Sequence, residues 1–157
     1  MAYNEKYMLL AISEAKKAEK KGECPIGAVI VKNDKIISRA HNLRETKQCS
    51  ILHAEISAIE KANKKLSSWR LEDCDLYVTL EPCPMCSGAI IQSRIKNLYF
   101  GSFDKKAGAA GSVCDLFAPG LFNHDVKVFG GIMKETCSEM LSDFFKNLRE
   151  NKKKKRD

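Results

Sequence analysis

Over residues 7–21 the apolar side chains Met8, Ala11, Ile12, Ala15 and Ala18 recur three or four positions apart, with charges between them, and Gly22 ends the run. That period predicts an amphipathic covering helix. The pattern then changes. Residues 26–31 form an unbroken apolar strand, Asn33-Asp34 a turn and 35–40 a second strand, together a β-hairpin. Further along, helices are expected over 56–63 and 85–93, and strands over 75–80, 97–100 and 126–129. The chain closes on a long helix over about 134–151, whose stripe Cys137, Leu141, Phe144, Leu148 steps by four, three and four. That stripe is expected to pack on the sheet, with Phe145 at its edge. Residues 43–52 form a polar loop. Residues 101–112 form a glycine-rich one, which lacks the Gly-Lys-Ser/Thr of a P-loop and reads as a mobile border to a site. Helices between hydrophobic strands indicate an α/β fold, a three-layer α/β/α sandwich with a mixed sheet.

Composition narrows the class. The chain has 157 residues, 44% of them apolar and 30% charged, enough for one domain with a full core. Residues 1–151 read as that domain and 152–157 as a basic tail. Seven cysteines is an odd number, the N-terminus is polar, and no apolar run approaches the roughly 18 residues of a membrane span. A reducing, cytoplasmic setting is expected, with Cys24, Cys74, Cys114 and Cys137 as small core residues. The net charge is +7, and Lys146, Arg149 and the run 152–156 carry much of it. Such an excess suits a polyanionic partner, although for the last six residues a frayed, solubilising tail is the better reading.

Two short stretches carry the chemistry: His53-Ala54-Glu55 and Pro82-Cys83-Pro84-Met85-Cys86. Cysteines three apart can turn both sulfurs to one ion from a first helical turn, and Pro82 and Pro84 suit that start. His53, Cys83 and Cys86 would be the three ligands of a catalytic Zn²⁺, leaving the fourth tetrahedral position for water. Glu55, two residues from His53, is the candidate proton carrier. A Cys-x-x-Cys alone could instead be redox-active or half of a structural zinc site, but a structural site needs four protein ligands and has no use for an extra Glu. Cys49, four residues before His53, is a further thiol that could reach the metal or oxidise.

The pattern His-x-Glu followed by Pro-Cys-x-x-Cys is the signature of the zinc-dependent base deaminases. From about Tyr7 to Arg149 the chain resembles the cytidine deaminase superfamily, and within it the bacterial tRNA-specific adenosine deaminases. The likeness rests on Pro25-Ile26-Gly27-Ala28-Val29, His41-Asn42, His53-Ala54-Glu55, Thr79-Leu80-Glu81-Pro82-Cys83-Pro84-Met85-Cys86, Gly108-Ala109-Ala110-Gly111-Ser112, Phe122-Asn123-His124 and Asp143-Phe144-Phe145. The resemblance implies a five-stranded mixed sheet flanked by helices, one zinc per subunit, a homodimer, and conversion of adenosine to inosine at the wobble position of a tRNA, with arginine tRNA the expected one. It also implies that Ile26, Asn42 and Ala54 hold the base. Arg70, Lys106, Asn123, His124, Phe145 and Arg149 are expected to contact the anticodon stem-loop. Phe145 could equally be core, and His124 core or ordinary surface. In one place the chain departs from the family, carrying Ser50, Ile51 and Leu52 where members generally have Pro, then Thr or Ser, then Ala. That affects the pocket wall rather than the metal chemistry.

Two rival readings stay open at this point. A deaminase of a free nucleobase or nucleoside, such as guanine or cytosine, would share the cysteine motif but would have little use for the basic C-terminal helix. A non-catalytic RNA-binding module would need no acid beside a metal.

Overall fold

The computed structural model describes residues 3–156. Helix α1 (Glu5–Lys20) begins two residues earlier than its apolar period suggests, because the Asn4 side chain accepts a hydrogen bond from the Lys6 amide at 3.1 Å and caps it. Its expected apolar face is fully buried. Strands β1 (Gly27–Lys32) and β2 (Lys35–His41) form the hairpin. Asn33 and Asp34 supply its turn with φ of 50° and 58°, the paired left-handed conformation that two-residue hairpins favour.

Helix α3 (Ala54–Leu66) leads to β3 (Cys74–Leu80), α4 (Pro84–Gln92), β4 (Asn97–Ser102), β5 (Lys127–Gly130) and α5 (Lys134–Arg156). The five strands lie in the order β2-β1-β3-β4-β5. β1 runs antiparallel to both its neighbours, whereas β3, β4 and β5 are parallel, so the sheet is mixed. Because side chains alternate across a strand, β1 can be apolar throughout and still serve two layers. Ala28 and Ile30 join Leu76, Val78, Leu98 and Phe100 beneath α3 and α4. Val29 and Val31 join Tyr77 and Tyr99 beneath α1 and the start of α5. The expected three-layer sandwich is thus formed.

Gly27 is where α1 meets the sheet. A Cβ there would lie 2.0 Å from the Ala11 carbonyl oxygen and 2.6 Å from the Ala15 amide. Both obstacles are backbone and cannot rotate away. Gly27→Ala is therefore expected to push α1 off β1 and cost about 3 kcal/mol, the upper end for an overpacked core, read as a lower denaturant midpoint at unchanged slope.

Four expectations need correction. The polar loop before His53 contains a short helix, α2 (Arg44–Lys47), whose capping groups come from distant sequence. In α5 only Cys137 is fully buried, with its thiol against Gly101. Leu141 and Phe144 are half-buried and Leu148 is exposed, because a 23-residue helix of about 35 Å outruns the six-residue strand beside it. The helix also continues through Arg156, so the basic run is helical rather than frayed. Cations in a last turn face the negative end of the helix dipole. Finally, Cys114 is exposed on a loop and Cys24 only half-buried, so neither is a core thiol, whereas Cys74 and Cys137 are.

Candidate active site

His53 and Cys83 hold equivalent places in the fold: each is the extended residue that caps a helix, α3 and α4 respectively. Pro84 occupies the first turn of α4, where its missing amide proton costs nothing. Both helices thus start at one spot beyond the carboxyl end of β3, where open α/β sheets place ligands. The two positive helix ends favour anionic sulfur there.

His53 Nδ1 lies 3.6 Å from Cys83 Sγ and 3.5 Å from Cys86 Sγ. All three donor atoms fall within 4.8 Å of one another. Cys49 is outside this cluster. The Cys83 thiol is held down at about 4, chiefly by the hydrogen bond shared with Cys86 and further by His53. Cys86 is pushed upward by the same shared bond and by burial. His53 is raised by its bond to Cys83. Two sulfurs and a nitrogen converging with one thiolate already formed are a donor set that fits zinc, and three ligands leave a tetrahedral place open.

Glu55, in the first turn of α3, is 4% exposed. Burial pushes its carboxyl up to about 7, while the neighbouring His53 pulls the other way. A carboxyl tuned to neutrality beside a donor set that fits zinc is suited to carry protons both ways.

Asn42 is buried at the end of β2. Its amide donates to the Ile26 carbonyl at 3.1 Å, and its Oδ1 accepts from the Arg44 amide at 3.1 Å. With Oδ1 engaged, the Nδ2 group remains to donate to a ligand. Ile26 and Asn42 are therefore tied through their backbones, and the wholly buried Ala54 lies in the core cluster against which Ile26 packs. Of the family-atypical segment, Ser50 and Ile51 are exposed and Leu52 half-buried, with the Leu52 carbonyl accepting from the Leu43 amide at 3.1 Å.

Two buried carboxylates that sequence reasoning passed over hold neighbouring segments. Glu23 accepts from the amides of Glu45 at 3.1 Å and Thr46 at 2.6 Å, and so caps α2 from across the chain. Glu81 accepts from the amides of Asp104, Ala110 and Ser112 at 3.0, 3.0 and 3.1 Å, and from the Ser112 hydroxyl. It pins the glycine-rich loop over the cysteine motif. A Cβ on Gly108 would strike its carboxylate, which explains one of the loop's glycines. Burial would raise both acids, but these hydrogen bonds outweigh it and hold each below the ordinary carboxylate value. The available signal was an acid beside a Cys-Pro or Pro-Cys pair, too little to show what it would bind.

The expected substrate contacts divide into two groups. Lys106 is exposed on the loop that Glu81 pins, its amide donating to Asp104 Oδ1 at 3.0 Å. Phe145 and Arg149 are exposed along α5. Arg70 lies at the other pole, past the end of α3 and about 20 Å from His53 by helix rise, stacked 4.4 Å from the Trp69 ring centroid. His124 is there too, bonded at 2.8 Å to the Ile95 carbonyl beyond the end of α4, with exposed Asn123 beside it. Within one chain this second group does not meet the metal cluster.

A profile of the MafB19-like deaminase family matches residues 3–149. The chain is similar to a tRNA-specific adenosine deaminase of Bacillus subtilis (strain 168), with 56% identity over 153 residues, covering 98% of this chain and 95% of the relative. One from Aquifex aeolicus is 47% identical over 94% of this chain and 97% of its own. Among solved structures, one from a study of A-to-I editing by tRNA:A34 deaminases at the wobble position of transfer RNA superposes with a TM-score of 0.82 at 38% identity, over 88% of this chain and 100% of the other. A guanine deaminase from Bacillus subtilis gives 0.64 at 38% identity, over 70% and 71%.

Proposed function

This chain belongs to the MafB19-like deaminase family and groups with its tRNA-specific adenosine deaminases, and from that premise we propose that it converts adenosine to inosine at the wobble position of a tRNA, with arginine tRNA the substrate. The observation that carries the reading is the convergence of His53, Cys83 and Cys86 beside the buried acid Glu55.

Zinc held by those three residues would supply the Lewis acidity that makes a water nucleophilic at neutral pH. The remaining work falls to side chains of this chain. Glu55 takes one proton from the attacking water and delivers it to purine N1, then carries the second, from the new C6 hydroxyl, to the exocyclic nitrogen, so that the C6–N bond breaks, ammonia leaves and C6 becomes a carbonyl. Asn42 Nδ2 donates to an acceptor on the base edge and orients it. Ile26 and Ala54 bound the ring. The backbone tied to Glu23 and Glu81 keeps this frame from spreading.

A tRNA cannot enter such a site folded. An anticodon loop already presents unstacked bases, so extruding one costs less than from a duplex. Lys106, on the loop that Glu81 pins, and Phe145 and Arg149, exposed along α5, are the groups we assign to the flanking strand. Arg70, Asn123 and His124 reach it from a second copy, which is the role we assign to a homodimer. Among the described residues no helix is long and apolar enough to cross a membrane. We place the enzyme in the cytoplasm, with its substrate.

The test is deamination by the zinc-loaded protein of an arginine anticodon stem-loop with a wobble adenosine, beside free adenosine, guanine and cytosine, read by mass spectrometry. Inosine in the hairpin alone is expected. Conversion of a free base with the hairpin untouched would overturn the reading in favour of nucleobase salvage, the activity that the guanine deaminase neighbour's name describes.

A further inference from the structure

A cavity of about 650 Å³ opens between the glycine-rich loop and the first turns of α5. It is lined by Ser102, Phe103, Lys105, Ser112, Lys134 and Ser138. None of these residues enters the chemistry above. Both lysines are exposed, and among the described residues no carboxylate lies within 4 Å of either amine. Lys134 is moreover the first residue of α5, at the positive end of the helix dipole, where a cation is disfavoured unless an anion stands beside it. Glu135 adjoins it in sequence but makes no ion pair with it. Its ammonium sits instead 5.5 Å from the Phe103 ring centroid, at the cavity wall.

Hydroxyls complete the lining. Ser102 Oγ donates to the Phe103 carbonyl at 3.4 Å and lies 2.8 Å from Ser138 Oγ, so Ser138 can turn its proton from Ser102 to an incoming acceptor while Ser102 keeps an acceptor of its own. Two cations without a carboxylate partner, a hydroxyl that can turn its proton and a helix N-terminus around one cavity suit a tetrahedral oxyanion. Its position names the source. Ser112, which lines the cavity, also donates its hydroxyl proton to Glu81, on the segment that leads into Cys83. On its other side begins α5, which carries Phe145 and Arg149.

We propose that this cavity binds a backbone phosphate of the RNA strand beside the extruded nucleotide, with Lys105 and Lys134 as its cations and Ser138 as a hydroxyl donor. The inference rests on the tRNA reading above. A strand running from the active site to α5 crosses the cavity. A substrate without a phosphodiester gains nothing there.

The test compares zinc-loaded wild type, the double variant K105A/K134A and a control pair on the exposed face of α1, K16A/K20A, on the anticodon hairpin. KM is expected to rise about tenfold in K105A/K134A at unchanged kcat, and the slope of log affinity against log salt to fall by about 1, with the control pair near wild type. A hairpin with one neutral methylphosphonate next to the target adenosine should bind wild type about tenfold more weakly and the double variant no more weakly than the natural hairpin. If K105A/K134A matches the control, or if every methylphosphonate position affects it as it affects wild type, the phosphate site is overturned while the tRNA reading stands. Inorganic phosphate that protects the lysines from acylation as well as the hairpin does would make the site one for free anion and overturn the RNA assignment. Wild type that ignores the hairpin and converts a free base overturns the tRNA reading and this inference with it.

Discussion

Glu55→Gln is expected to leave a folded, zinc-loaded protein whose turnover of the hairpin is lower by about 10³-fold, within the range that a positioned proton carrier supplies. The amide nearly matches the carboxyl in shape, so the packing of a residue only 4% exposed is kept. What it loses is the ability to accept a proton and return it. The expected pattern is a fall in kcat with KM for the hairpin little changed, because Glu55 acts on the reacting atoms and not on the flanking strand. Zinc content by atomic absorption should remain one per chain, since the donor set is His53, Cys83 and Cys86. Near-normal turnover would remove Glu55 from its role. Loss of zinc in this variant would mean that the acid is a ligand and that the division of labour is wrong.

Stripping the metal with a chelator is expected to abolish turnover and to lower the melting temperature. The ligands come from the starts of two separate helices, so an ion held there joins α3 to α4 and binds only the folded chain. At zinc about a thousandfold above its Kd, linkage contributes about 4 kcal/mol, which for a chain of this length is roughly 10 °C. Restoring zinc should restore both readouts together. Chelated protein that keeps its turnover would exclude the metal from catalysis. Chelated protein that loses activity without any fall in melting temperature would confine the ion to the chemistry and deny it a part in the fold.

The site was more legible in the sequence than the frame around it, and the reason is distance along the chain. His53, Glu55, Cys83 and Cys86 lie in two compact motifs, each opening a helix, so local spacing shows each half of the site, though not that the two halves meet. Helix α2 escaped notice because its capping partner, Glu23, lies 22 and 23 residues before the amides it binds. Glu81 likewise collects donors from up to 31 residues away. A carboxylate's own neighbours in sequence do not reveal which amides will reach it. Arg70 and His124 show the same limit from the other side. Their residue types suit nucleic acid, but only the directions of α3 and α4 place them at the pole away from the metal cluster.

The amphipathic period of α5 was read correctly, yet how much of that stripe finds a partner depends on where the sheet stops. The sheet's edge lets Cys137 close against Gly101 and leaves Leu148 in solvent. By itself, then, the sequence determined the elements, the alternation that buries both faces of β1, and the donor types in each of the two motifs, because each is set by residues a few positions apart, whereas only folding brought His53 to the cysteines 30 and 33 residues on. Tertiary structure alone decided which buried acids hold the loops, which pole each cation occupies, and that Lys105 and Lys134 face one cavity, because those depend on contacts between segments that the chain brings together only on folding.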